Sequence, residues 1–130
     1  MMLVPDACGR KSYSKEGKHR TSDKPVEVFP NDAFGVQAVG VHHSIVPTLG
    51  YLITVDNFRI AISGDQKLST DHFTRMVGGA DLLVMPMAIP EYDEPDVLHA
   101  RPSDIGKMAA QAQVKKLVLS HWMAQLGGTG

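Results

Sequence analysis

From Phe34 onward, short apolar runs alternate with turn and helix signals in one fixed order, and that order narrows the folds open to this chain more than any other feature. In FGVQAVGVHH, Val36, Ala38 and Gly40 alternate with Gln37, Val39 and Val41, the period of a half-buried strand. LGYLITV and FRIAIS read as two more strands. Asp56-Asn57 separates them, and both residues tolerate positive φ, so a tight hairpin is expected. In STDHFTRMVGG, Ser69 suits an N-cap, Phe73, Met76 and Val77 fall on one helical face, and Gly78-Gly79 stops the helix. ADLLVMPM is an unbroken apolar run of strand length, which predicts a strand covered on both faces. Residues 88–101 form a polar, proline-bearing loop. Ser103 is the expected cap of a second helix with Ile105, Met108, Ala109 and Ala112 as its apolar face, and VKKLVLS is the last strand. The closing β-α-β order implies a right-handed crossover and a parallel pair. The expectation is an α/β chain with a mixed sheet.

With 130 residues, the chain holds one domain at most. Its 43% apolar and 21% charged residues are ordinary for a soluble globular protein. A net charge of −1 gives no global field toward nucleic acid or a membrane surface. The lone Cys8 excludes an internal disulfide and a cysteine-based zinc site, and fits a reducing compartment. No apolar run approaches the roughly 20 residues that span a bilayer. The first residues lack the pattern of a secretory signal, so the expected location is cytoplasmic, with no membrane partner. Residues 1–33 mix Lys11, Lys15, Lys18, Arg20 and Lys24 with Asp6, Glu16 and Asp23, and are expected to be a poorly ordered N-terminal arm.

Three polar residues, His43, Asp65 and His121, stand immediately after strand-like runs, and His99 stands shortly before a helix. Strand ends are where α/β folds place their sites. Imidazole and carboxylate are good ligands for Zn²⁺ and related first-row metals. These residues are far apart in sequence, and a lone histidine reads as readily as a surface or core residue. His72 is expected on the exposed side of its helix and His19 in solvent. Met85, Met87, Met108 and Met123 read as core filler, and Trp122 as packing or as a pocket wall beside His121. No G-x-x-x-x-G-K-[ST] occurs, which argues against a phosphate-loop nucleotide site.

Four segments, in order, resemble the later motifs of the metallo-β-lactamase superfamily, particularly ribonuclease Z and the arylsulfatase-like hydrolases. VQAVGVHHSIVPTLGYLI is similar to the strand bearing a metal histidine. FRIAISGD resembles the Ser-Gly-Asp segment, LHARPSDIGKMAAQA the histidine-led loop and helix near the leaving group, and VKKLVLSH the strand with the final metal histidine. The resemblance implies that His43 ligates one metal, that Asp65 bridges two, that His121 completes the second shell, and that His99 donates a hydrogen bond or proton to the leaving group. It implies two Zn²⁺ ions, with Mn²⁺ or Fe as alternatives. The implied reaction is hydrolysis of a phosphodiester, sulfate ester or similar ester by metal-bound hydroxide. Two close metals lower the pKa of a bridging water and clamp the attacking and leaving oxygens. The short stretch between His43 and Asp65 is closer to a small arylsulfatase-like enzyme than to ribonuclease Z.

The signature H-x-H-x-D-H, which supplies the family's other ligands, does not occur in this sequence. The expected architecture for residues 34–130 is therefore the C-terminal half of a metallo-β-lactamase αββα sandwich, a mixed sheet with helices on one face. Such a fragment is expected to hold less than its full metal complement, to be a poor enzyme alone, and to expose an apolar face. The implied partners are a small ester or phosphodiester substrate, with nucleic acid still admissible, and a homo-oligomer or a partner chain supplying the other half. Two other readings stay open: a non-catalytic remnant that folds against a partner chain, and an α/β ligand-binding module with incidental histidines.

Overall fold

A computed structural model of the chain describes residues 22–29, 32–43, 47–67, 71–91 and 99–121. Most of the N-terminal stretch, Ser69, Trp122 and Met123 lie outside the described residues.

Six strands form one sheet in sequential order: β1 (Val26–Glu27), β2 (Phe34–Val41), β3 (Thr48–Val55), β4 (Phe58–Ile62), β5 (Leu82–Pro86) and β6 (Leu117–Ser120). Strands β1 to β4 pair antiparallel, and β4, β5 and β6 pair parallel. The β3–β4 hairpin turns at Asp56-Asn57, and Asp56 has φ 52°, the left-handed conformation that Asp tolerates. Strand β1 was not anticipated; two residues give no readable alternation, and it exists by pairing Val26 with Ala38 and Glu27 with Gln37.

Helix α1 (Asp71–Met76) connects β4 to β5, and α2 (Pro102–Gln111) connects β5 to β6. Both crossovers step the same way across the sheet, so the right-handed rule puts both helices on one face. There they bury a single core: Phe73, Met76 and Val77 from α1 and its exit, Ile105, Met108, Ala109 and Ala112 from α2 and its exit, against Val39, Val41, Leu52, Ala61, Leu83 and Met85 of the sheet. Gly50 makes this approach possible, because a Cβ there would fall 2.5 Å from the Phe73 ring. Past α1, Gly79 has φ +69°, as expected of the Gly78-Gly79 stop. The Arg59 guanidinium donates to the carbonyls of Gly78 at 2.6 Å and Met76 at 3.1 Å, satisfying acceptors that the helix end leaves unpaired.

Two local expectations are corrected. Arg101, not Ser103, is the N-cap of α2, with Pro102 opening the helix and no side-chain cap. Ser103 lies inside the first turn, where its N–H donates to Glu91 Oε2 at 2.8 Å; a carboxylate from the preceding loop does the work of the cap. Strand β5 is fully buried on the helix face, at Leu83 and Met85, while on the other face Leu82 and Val84 are half-buried. The register puts Leu82 and Val84 on the face opposite the helices, with Val36, Ile53 and Ile60. On that face Val55, Phe58, Ile62 and Val118 are exposed, by 43, 52, 39 and 38%.

Candidate active site

Strands β2, β4, β5 and β6 all run in one direction, since β2 and β4 are both antiparallel to β3 while β5 and β6 are parallel to β4. Their C-terminal ends therefore share one edge of the sheet. His43 follows β2, Asp65 follows β4 and His121 follows β6, while His99 lies between β5 and α2. Residues up to 78 positions apart in sequence are gathered by strand direction alone.

The four residues meet there. His121 Nδ1 lies 2.8 Å from Asp65 Oδ1, a bond in which the carboxylate accepts from the ring N–H. In a neutral ring, that bond puts the proton on Nδ1 and leaves the lone pair on Nε2. The His99 ring sits between the other two imidazoles, its centroid 5.4 Å from His43 and 5.3 Å from His121. His99 is buried at 8% exposure, whereas the side chains of His121 and Asp65 are 40 and 44% exposed. The cluster thus has a wet rim and a dry floor.

Backbone geometry holds Asp65 in place. Gly64 has φ +63°, and a Cβ there would lie 2.6 Å from the Leu49 carbonyl oxygen, so glycine is required for both conformation and space. On one side, the buried Ser63 receives a carbonyl through its N–H, which donates to Val84 O at 3.0 Å, while its hydroxyl donates to Gly64 O at 2.7 Å. On the other, Lys67 N–H donates to His42 O at 2.8 Å, tying the loop to the segment that carries His43. His121 has φ 55°, a sparsely populated conformation for a residue other than glycine.

Sequence reading missed three features near the cluster. His42 acts through its backbone carbonyl, which no side-chain pattern reveals. Gln66, beside Asp65, is fully buried, and among the described residues its amide finds no hydrogen-bond partner. His72, expected in solvent, is half-buried and pairs through Nε2 with Gly40 O at 2.8 Å. Two carboxylates outside the cluster are held below their ordinary values: Glu91 chiefly by hydrogen bonds from the Ser103 side chain and backbone, and Asp81 chiefly by the Lys115 ammonium 2.7 Å away.

The donors suit a divalent transition metal in kind, two imidazoles and one carboxylate with a third imidazole beside them. In arrangement they fall short: among the described residues, no three His, Cys, Asp or Glu side chains converge as a metal-holding group.

The sequence profile of the beta-lactamase superfamily domain matches residues 8–122. The chain belongs to that superfamily. Solved structures agree on the fold, a metallo-β-lactamase fold present in part. Human tRNase Z, short form, superposes with a TM-score of 0.71 at 22% identity over 79% of this chain and 41% of its own. The metallo-β-lactamase fold protein YhfI from Bacillus subtilis gives 0.65 at 20% identity over 79 and 41%. A diphosphatase of the PhnP family gives 0.55 at 19% identity over 80 and 37%. The superfamily chain thus spans about two fifths of the length of these structures. No curated protein matches it in sequence. No described helix is long and apolar enough to cross a membrane.

Proposed function

We propose that this superfamily chain carries one side of a divalent-metal ester-hydrolase centre, with His43, Asp65 and His121 as its ligands and His99 as the proton donor to the leaving oxygen. The observation that carries the reading is the Asp65–His121 bond beside the neighbouring His43 and His99 rings, at the edge to which all the parallel strand ends point. The superfamily generally uses divalent metals, and its named structural relatives include a tRNase and a diphosphatase. The proposed substrate is accordingly a phosphodiester, sulfate ester or related ester, nucleic acid included, and Zn²⁺ is the proposed metal, with Mn²⁺ or Fe as substitutes.

The chain's own residues do the following work. Asp65 orients His121 and fixes its tautomer through the Nδ1–H bond. His99, on the buried floor, is placed to hold a proton close to a bound ester, a role suited to an imidazole. The metal supplies charge stabilisation when bound. Since no three described donors converge, the remaining ligands must come from outside the described residues, and affinity in the isolated chain should be weak.

Equilibrium dialysis against Zn²⁺ or Mn²⁺, with metal content measured on the purified chain, tests this. The expected result is less than two ions per chain, lowered further by Asp65→Asn or His121→Ala and unchanged by His72→Ala. His99→Ala should leave metal content intact. Binding indifferent to both Asp65→Asn and His121→Ala would remove these residues from the metal shell. Two tightly held ions with turnover of a chromogenic phosphodiester would show the centre to be complete without further ligands.

A second reading, an interaction module without catalysis, is favoured by one observation: the apolar sheet face left uncovered among the described residues.

A further inference from the structure

The net charge of −1 conceals a separation of charge along the chain. Residues 10–24 hold Arg10, Lys11, Lys15, Lys18, Arg20 and Lys24 against Glu16 and Asp23, a local balance of +4 that leaves the rest of the chain at −5. Topology decides where this basic stretch joins the sheet. Strand β1 runs antiparallel to β2, so its start lies beside the end of β2, and Gly40 N–H donates to Ser22 O at 2.7 Å, three residues before His43. A local turn braces Ser22, whose hydroxyl donates to Lys24 O at 2.9 Å. The stretch thus enters the fold at the edge that carries His43, Asp65 and His121. A described cation stands at the same edge: Lys67, two residues past Asp65, is exposed and, among the described residues, forms no ion pair. We propose that residues 10–24, with Lys67, are a phosphate-binding track that holds a single-stranded nucleic acid across the cluster.

Screening and reach favour a polymer over a small ester. An exposed ammonium holds a single small anion weakly, because water and salt screen the pair. A chain of phosphates differs, since each phosphate neutralised releases counterions and the gains add along the strand. Strands about 4.8 Å apart put β6 roughly 24 Å from β1, while the twelve residues 10–21, fully extended, span up to about 40 Å. The stretch is therefore long enough to follow a bound strand from β1 past Asp65 to His121. Composition speaks against an anionic membrane: Tyr13 is the only large apolar side chain in residues 10–24, which leaves little to enter the acyl boundary. The inference deepens the ester-hydrolase reading by narrowing its substrate to a nucleic-acid phosphodiester, and rests on that reading for the chemistry at the edge. Binding is measurable without metal or turnover, so the two fail separately.

Fluorescence anisotropy of the purified chain with labelled oligo(U) and oligo(dT) of about 20 nucleotides, over a salt series, tests it. Both should bind, since contacts to phosphates carry no sequence information. The slope of log K against log salt should lie between about −3 and −4, from four net charges on the stretch plus Lys67 at about 0.7 each. Lys15→Gln with Lys18→Gln and Arg20→Gln should reduce the slope by about 2 and weaken binding about 100-fold at low salt. Lys67→Gln should reduce it by about 0.7, and Lys116→Gln, before β6 at the opposite edge of the sheet, should leave it unchanged. On titration with oligo(U), the His43 and His121 ring resonances should shift, while the backbone amides of the Asp56-Asn57 turn at the far edge stay in place. No binding, a slope near zero, an equal loss with Lys116→Gln, or shifts confined to the far edge would each overturn the proposal. So would tighter binding to vesicles of anionic phospholipid than to either oligonucleotide.

Discussion

Replacing Gly64 by alanine puts the geometry of the cluster under direct strain, because both demands on that residue can be costed separately. At φ +63° a residue with a Cβ loses about 1 kcal/mol relative to glycine, and about 1–2 kcal/mol relative to its own right-handed conformation. The new Cβ also meets Leu49 O at 2.6 Å. That oxygen belongs to the backbone of β3, inside the ladder with β2, so it cannot swing away as a side-chain tip would. Relief requires the 63–65 loop or β3 to shift by several tenths of an ångström, an overpacking cost of about 1–3 kcal/mol. Against these stands the lower unfolded-state entropy of alanine, about 0.4–1 kcal/mol in favour of the variant. The net expectation for Gly64→Ala is a loss of about 2–3 kcal/mol, read as a lower urea midpoint with unchanged slope. The same shift should lengthen the 2.8 Å Asp65–His121 bond, moving the His121 ring resonances in the proton spectrum. A stability change under about 0.5 kcal/mol together with unmoved His121 resonances would refute the argument that glycine is required there.

Gly106→Ala should act in the opposite direction: the site is inside α2, with nothing within 4 Å of the new Cβ, so thermal unfolding should rise by the equivalent of about 0.5–1 kcal/mol. Removing the Arg59 cap should destabilise the chain, with Arg59→Met raising hydrogen exchange at the C-terminal end of α1 more than at α2. Glu91 is depressed below its ordinary 4.5 when folded, so its contribution to stability is full above that value and is lost as pH falls through the folded value; Glu91→Gln should therefore flatten acid destabilisation below about pH 4.5, seen by urea titration at pH 3 to 6.

What the sequence determined by itself is whatever depends on local pattern. Period-two alternation in β2, an unbroken apolar run in β5, one apolar face on α2, and glycine or Asp-Asn punctuation are properties of neighbouring residues, and each element they imply is present. The positions of His43, Asp65 and His121 directly after strand-like runs were legible for the same reason, and the resemblance in four ordered blocks turned those positions into a candidate site. What only the tertiary structure decided depends on residues remote in the chain. Strand β1 exists through Ala38 and Gln37, the α2 cap is a carboxylate twelve residues away, and His72 is held by a carbonyl thirty-two residues earlier. An apolar run such as LLVMP shows that a strand is apolar on both sides, but not whether both sides are covered; that follows from the handedness of two crossovers, which sent both helices to the same face. The Asp65–His121 bond has the same origin: the sequence names its two ends, and parallel strand direction is what brings them within 2.8 Å.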